Sequence, residues 1–292
     1  MYAADRRLAL LLAAPGVLLL AGVFLYPMAL SLQLSAMDYN LITGDTSSRI
    51  VGLAHYLAIL SDQRTLESLW RTTVFTVTTL VAELCLGVGL ALVLQERLHL
   101  RGLTRTALLA PMMTSSIVVG LMWRLLWNAD YGVINAVLTA AHLPRPFWLG
   151  PDLAFWSIVI TEIWQQTPFV CLIALAGLAS LPTEPLEAAM IDGASYWQRL
   201  YWITLPLLRP VLVVIIVFRA IFALRSIEAV WVLTSGGPAD TTLLYGIHIY
   251  RTAFRYFDLG FSSALSWLLV IFMLGGIGIY GWLLTRTRSQ LM

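Results

Sequence analysis

The chain has 292 residues, of which 59% are hydrophobic and only 12% charged, and its mean hydropathy is +0.82. Such a composition describes a chain whose main solvent is lipid and excludes an ordinary soluble core as its organising principle. The formal charge of +2 is dispersed, and no basic stretch is interleaved with stacking aromatics, so a nucleic-acid surface is excluded as well.

A bilayer core about 30 Å thick takes roughly 20 apolar residues per helix. Runs of that length predict spans at residues 8–34, 66–94, 105–127, 154–178, 207–233 and 262–285. The expected fold is therefore an all-α membrane protein, a polytopic bundle of about six transmembrane helices making one domain over residues 1–292. The first run follows Arg6 and Arg7, is too long for a signal peptide and lacks a small-x-small cleavage site, so it reads as a membrane helix. Six spans place both termini on one side. Arg6, Arg7, Arg97, Arg101, Arg105, Arg199, Arg209, Arg286 and Arg288 then share that side, against Arg49, Arg64, Arg145, Arg251 and Arg255 on the other. The arginine excess predicts cytoplasmic termini.

The outer segments 35–65, 128–153 and 234–261 carry turn formers: Gly44, Asp45, Ser47 and Ser48, then Pro144, Pro146 and Pro151, then Ser235-Gly236-Gly237-Pro238. Tyr26, Trp123, Trp127, Trp148 and Trp231 lie near span ends and read as lipid-interface anchors. Cys85 and Cys171 have no pairing or ligand spacing, and His55, His99, His142 and His248 occur singly, so no metal site is expected. All basic residues are arginine. A P-loop needs a lysine that reaches the β/γ-phosphates, so any ATP used here must be bound by another chain.

Between the fourth and fifth spans, residues 187–210 read EAAMIDGASYWQRLYWITLPLLRP. Ala188, Ala189 and Ala194 give flat helix surfaces, and Gly193 supplies a break, which predicts helix, turn, helix. Tyr196, Trp197, Leu200, Tyr201 and Trp202 place bulky apolar material in what should be a polar loop, as expected of a surface covered by a partner. Pro206 and Pro210 are expected to set the entry into the fifth span.

The pattern Glu187-Ala188-Ala189, Asp192-Gly193-Ala194, Ile203, Leu205-Pro206 and Pro210 resembles the cytoplasmic EAA loop of permeases from binding-protein-dependent ATP-binding-cassette importers. In that family the loop is a coupling helix that docks into a cleft of the ATPase. The resemblance makes 182–206 the coupling segment, with Glu187, Ala188, Ala189, Asp192, Gly193, Ala194 and Pro206 in the motif and Leu200 and Tyr201 as apolar contacts. Leu200 stands where many members have phenylalanine. The stretches GLAHYLAIL (52–60), PMMTSSIVVGLMWRLLWNADYGVINAVL (111–138), IWQQTPFVCLIALAGLASLPTEPLEAA (163–189) and VLTSGGPADTTLLYGIHIYRTAF (232–254) are similar to the carbohydrate and glycerol-phosphate (maltose-type) subfamily. The turn Gly236-Gly237-Pro238 resembles the first of its two non-identical permeases. The implied assembly is this chain, a second permease, two ATPase subunits carrying ATP and Mg, and an extracytoplasmic solute-binding protein, in a bacterial inner membrane. No cofactor is implied for this chain, and its role would be transport rather than catalysis.

Ionisable residues inside spans mark a candidate solute path, since each costs about 2.5–3.5 kcal/mol at a helix centre unless it faces protein or water. Glu83, Glu162, Arg219, Arg225 and Glu228 qualify, and each has two open readings: pairing within the bundle or contact with solute. At about 100° per residue Arg225 and Glu228 share a face of the fifth helix while Glu228 lies opposite Arg219, so all three cannot reach one cavity and one is expected to face the second permease. Trp164, Gln165 and Gln166 offer stacking and amide hydrogen bonds suited to a carbohydrate-like solute, and equally suit helix packing. A self-sufficient secondary carrier or channel shares the hydropathy but has no use for the docking segment, and the chain shows no internal repeat. An intramembrane serine protease built on Ser262 fails because no histidine follows His248.

Overall fold

The computed structural model describes residues 12–42, 49–95 and 101–288. Arg6, Arg7, Arg97, His99 and the turn formers Gly44, Asp45, Ser47 and Ser48 lie outside them. Helix dominates, as lipid requires, because only intra-segment hydrogen bonds can satisfy a spanning backbone without water. The helices are α1 (Leu12–Ser35), α2 (Ala54–Ser61), α3 (Gln63–Gln95), α4 (Arg101–Met113), α5 (Ser116–Leu126), α6 (Val133–Ala140), α7 (Ala154–Ala179), α8 (Glu184–Ile191), α9 (Tyr196–Leu224), α10 (Glu228–Thr234), α11 (Tyr245–Phe254) and α12 (Leu259–Arg288). Among the described residues five helices are long and apolar enough to span (α1, α3, α7, α9 and α12), and the bent pair α4–α5 can make a sixth.

The chain forms two compact units. In the unit of residues 1–66 and 248–292, α1 packs against α12, and a two-residue hairpin joins β1 (Met37–Asp38) to β2 (Arg49–Ile50). None of the most apolar stretch of α1 is buried, and Leu18 and Phe24 are more than half exposed, as for a helix bathed in lipid. Asp62 accepts from the Thr65 amide at 3.1 Å and from the Thr65 hydroxyl, whose oxygen lies 3.0 Å from His248 Nε2. Burial acts to raise the Asp62 carboxyl. The hydrogen bonds from Thr65 and the Arg64 amide, with the charge of His248, outweigh it and hold the group below the ordinary carboxylate value.

The unit of residues 67–247 is built around α7, whose most apolar stretch is 56% buried against 28% for α3 and 22% for α9. The inward stripe of α3 runs Ser68, Thr72, Phe75, Thr79, Glu83, Gly87, Ala91, a helical repeat whose polar members other than Glu83 are small. Thr72 and Thr79 return their hydroxyls to the carbonyls of Ser68 and Phe75, which satisfies these two groups within the helix and lets neighbouring helices approach closely. At Gly177 on α7 a Cβ would sit 2.8 Å from Val211 and 2.9 Å from Leu208 of α9, a contact only glycine permits. One apolar cluster gathers Phe75, Ile158, Val230 and Leu244, and a second gathers Ala91, Val170, Leu178 and Leu208.

Three sequence expectations change. The fifth span is not continuous over 207–233: α9 ends at Leu224, Arg225 and Ile227 leave helical geometry (φ −103°, ψ 6° and φ −122°, ψ −44°), and α10 starts afresh at Glu228. Pro206 lies in the first regular α turn after a widened π turn at Leu200–Thr204, as expected at the entry, whereas Pro210 lies inside the helix and α9 as a whole begins earlier, at Tyr196. The third span is bent by 102° between α4 and α5.

The tryptophans also depart from the lipid-anchor reading. Trp127 is buried and donates to the Thr161 hydroxyl at 3.2 Å, while Trp148 donates to the Asn135 amide oxygen at 2.8 Å. Their rings pack at 4.8 Å, with Trp123 5.0 Å from Trp127, which forms an internal aromatic cluster.

Candidate functional site

Two constructions in the second unit carry the candidate residues. The first is the segment after α7. Pro185 lies in the first turn of α8, where its missing N–H costs nothing, and Glu184 and Glu187 complement the helix N-terminus. The helix closes with two bonds, Gly193 N–H to the Met190 carbonyl at 3.1 Å and Ala194 N–H to the Ala189 carbonyl at 2.9 Å, the Schellman pattern. Gly193 occupies the left-handed position this closure needs, at φ +77°. Ser195 then caps α9 reciprocally: its amide donates to Gln198 Oε1 at 2.8 Å and its hydroxyl accepts from the Gln198 amide at 3.4 Å. The expected helix–turn–helix is present, each junction held by local side-chain chemistry.

The surface of this segment is apolar and bare. Ile191 is 87% and Trp202 81% exposed, Trp197 and Tyr201 stack at 6.2 Å, and Glu187, Ala188, Asp192 and Gly193 are exposed beside them. Ala189 and Leu200 point inward instead, and Ala194 is half-buried. Leu200 therefore packs within the chain, and Tyr201 is exposed. Pro206 is exposed. Behind the segment lies a cavity of about 430 Å³ lined by Leu92, Gln95, Leu186, Glu187, Arg199 and Leu200 among others.

The second construction is ionic. Arg219 of α9, 1% exposed, donates from Nε and Nη2 to the two carboxylate oxygens of Glu83 on α3 at 2.6 and 2.8 Å. Its Nη2 also reaches Glu162 of α7 at 3.0 Å, and the Ser226 hydroxyl donates to the other Glu162 oxygen at 3.4 Å. Three helices are joined by one bidentate, fully desolvated cation. Beside it a cavity of about 240 Å³ is lined by Ser116, Glu162, Gln166, Phe169, Arg219, Phe222, Arg225, Ser226, Ile227 and Glu228.

The break after Leu224 explains how Arg219, Arg225 and Glu228 all reach this cavity, which an unbroken helix forbids. Ending α9 resets the rotation of α10, and Arg225 folds back with its guanidinium 5.5 Å from the centre of the Phe222 ring. The other candidates divide. Gln166 lines the cavity, whereas Gln165 is 2% exposed and donates to the Thr114 carbonyl and the Ser116 hydroxyl, both at 3.3 Å, which straps the bend between α4 and α5. Trp164 packs edge-on to Trp123 at 5.5 Å, in the aromatic cluster. Ser116, Phe169 and Phe222 were not singled out from the sequence, and only a polar Thr-Ser-Ser run at 114–116 inside an apolar stretch could have flagged the first. Among the described residues no group of three His, Cys, Asp or Glu side chains could hold a metal ion.

A polytopic helical chain with a polar cavity among its apolar helices and a bare apolar helix–turn–helix has the architecture of a membrane transport subunit. Residues 83–289 match the family of binding-protein-dependent transport system inner membrane components, and the chain belongs to that family. It is 40% identical to the trehalose/maltose transport system permease protein MalF of Thermococcus litoralis over 79% of this chain and 78% of that protein. It is 36% identical to the trehalose transport system permease protein SugA of Mycobacterium tuberculosis over 90% of this chain and 84% of that one. A subunit of a bacterial alginate ABC transporter, crystallised with a periplasmic protein carrying an alginate pentasaccharide, shares the fold with a TM-score of 0.83 at 20% identity, covering 97% of this chain and 96% of that one. The protein is thus a multi-pass inner-membrane component of a binding-protein-dependent importer.

Proposed function

We propose that this chain is the first of two non-identical permeases in an ATP-driven importer of a sugar or sugar-like solute, delivered by an extracytoplasmic binding protein. Two separate ATPase subunits bind ATP and Mg, and this chain hydrolyses nothing itself. Both termini and the segment 182–206 face the cytoplasm. The names of relatives that cover most of the chain, trehalose/maltose and trehalose permeases, support the solute class.

The observation that carries the coupling role is the bare surface of the segment, with Ile191 at 87% and Trp202 at 81% exposure on a backbone rigidly capped at Gly193 and Ser195. An apolar surface of this kind needs a cover. A capped helix–turn–helix transmits displacement as a unit, so closure of an ATPase dimer that holds α8 would push α9 and rock the bundle between two packings. The Arg219 triad ties α9 to α3 and α7, which carries such a push to the cavity wall.

The test is the complex of both permeases, the ATPase and the binding protein, reconstituted in lipid, with hydrolysis measured with and without solute-loaded binding protein. Stimulation by one sugar is expected, and Glu187→Lys or Gly193→Val should abolish the stimulation while the chain still inserts. Normal stimulation in both variants, or failure of wild-type chain to retain any ATPase, refutes the coupling assignment.

A further inference from the structure

The reading above leaves open the sign of the solute's charge. We infer that the cavity between α5, α7, α9 and α10 receives an uncharged, polyhydroxylated solute and rejects anionic sugars; this rests on the proposal that the chain is a sugar permease.

Five ionisable side chains set the field there. Glu83, Glu162 and Glu228 carry three negative charges and Arg219 and Arg225 two positive, an excess of one negative. Arg219 offers an anion little, because its Nε and Nη2 are committed to Glu83 and Glu162. Arg225 and Glu228, three residues apart and both exposed, add one charge of each sign, and the Arg225 guanidinium lies over the Phe222 ring. With all three carboxylates ionised, an excess unit charge about 6 Å from a solute anion, at an effective dielectric constant of about 20, disfavours it on the order of 100-fold.

The same groups favour hydroxyls. The carboxylates of Glu162 and Glu228 accept from O–H donors as charge-assisted bonds, the Gln166 amide both donates and accepts, and Ser116 and Ser226 add hydroxyls at the wall. Phe169 and Phe222 supply apolar faces for the C–H side of a sugar ring. A site that can hydrogen-bond many hydroxyls and carries no net positive charge selects by charge as well as by shape.

The experiment uses the permease–ATPase complex in nanodiscs, without the binding protein, so that the carrier's own selectivity cannot intervene. Saturation-transfer NMR titrations compare maltose and trehalose with their monophosphates and with a short uronate oligomer. Neutral sugars should bind, with transfer lost in Gln166→Ala, and the anionic ones should bind on the order of 100-fold more weakly. Glu228→Gln, at an exposed position, should narrow that gap about tenfold or more. Anionic sugars that bind as well as neutral ones, with the same sensitivity to Gln166→Ala, overturn the inference and leave the sugar-permease reading intact. Neutral binding that survives Gln166→Ala and Phe222→Ala together also overturns it, by placing the contact elsewhere. A complex that neither binds any sugar nor shows solute-stimulated hydrolysis with its binding protein overturns the permease reading itself.

Discussion

Replacing Arg219 with methionine removes the cation that answers two desolvated carboxylates, Glu83 at 0% and Glu162 at 5% exposure. Three short bonds go with it, at 2.6, 2.8 and 3.0 Å. Breaking one side of a buried ion pair costs about 3–5 kcal/mol, chiefly because the partner charge stays buried without compensation. At about 2–4 °C per kcal/mol for large domains, the apparent Tm should fall on the order of 10 °C. Thermal unfolding in detergent, followed by size-exclusion fluorescence, reads the shift. The triple variant Glu83→Gln, Glu162→Gln, Arg219→Met carries no buried charge and should recover more than half of the loss. The reasoning is refuted if Arg219→Met melts within about 2 °C of wild type, or if the triple variant is no more stable than the single one.

Gly177→Leu should destabilise by about 1–3 kcal/mol, seen as a lower Tm, because even a Cβ would stand 2.8 Å from Val211. Ser195→Ala should cost about 1 kcal/mol locally, read as faster amide exchange over residues 196–199 with little change in α7. Asp62 has a lowered carboxyl pKa, so its stabilising contribution is complete above the unfolded value of about 3.9 and is lost as pH falls through the folded value. Melting curves of wild type and Asp62→Asn should therefore differ at pH 7 and converge below about pH 4; a difference that persists unchanged in acid contradicts this account.

The helix–turn–helix was legible because its causes are local. Gly193 at a left-handed closure and Ser195-x-x-Gln198 at a cap act within six residues, and no distant group is needed to place them. The break between α9 and α10 has no such mark. Residues 224–228 read Leu-Arg-Ser-Ile-Glu, without the glycine or proline that marks a helix end, although Arg225, Ser226 and Glu228 interrupt the apolar run. What ends the helix is tertiary: Val232 of α10 packs where Gly120 of α5 leaves room, and Ser226 is drawn to the Glu162 carboxylate. The tryptophans misled for a related reason, since Trp127 and Trp148 lie near the ends of apolar runs yet find internal hydrogen-bond partners that no pattern along the chain displays.

The charges show where a sequence argument stops. Hydropathy identifies Glu83, Glu162, Arg219, Arg225 and Glu228 as costly in a span, and that cost implies a compensating partner without naming it. In the folded chain the set divides by accessibility. Glu83 and Arg219 are sealed and satisfy one another, which fixes α3 and α9 in register, while Arg225 and Glu228 sit at an exposed helix break beside Phe222. Glu162 belongs to both groups, bonded to Arg219 on one oxygen and facing the cavity through the other beside Ser226. A displacement of α9 must therefore move a carboxylate of the cavity wall, so the bond that stabilises the bundle also couples its packing to the site where solute would pass.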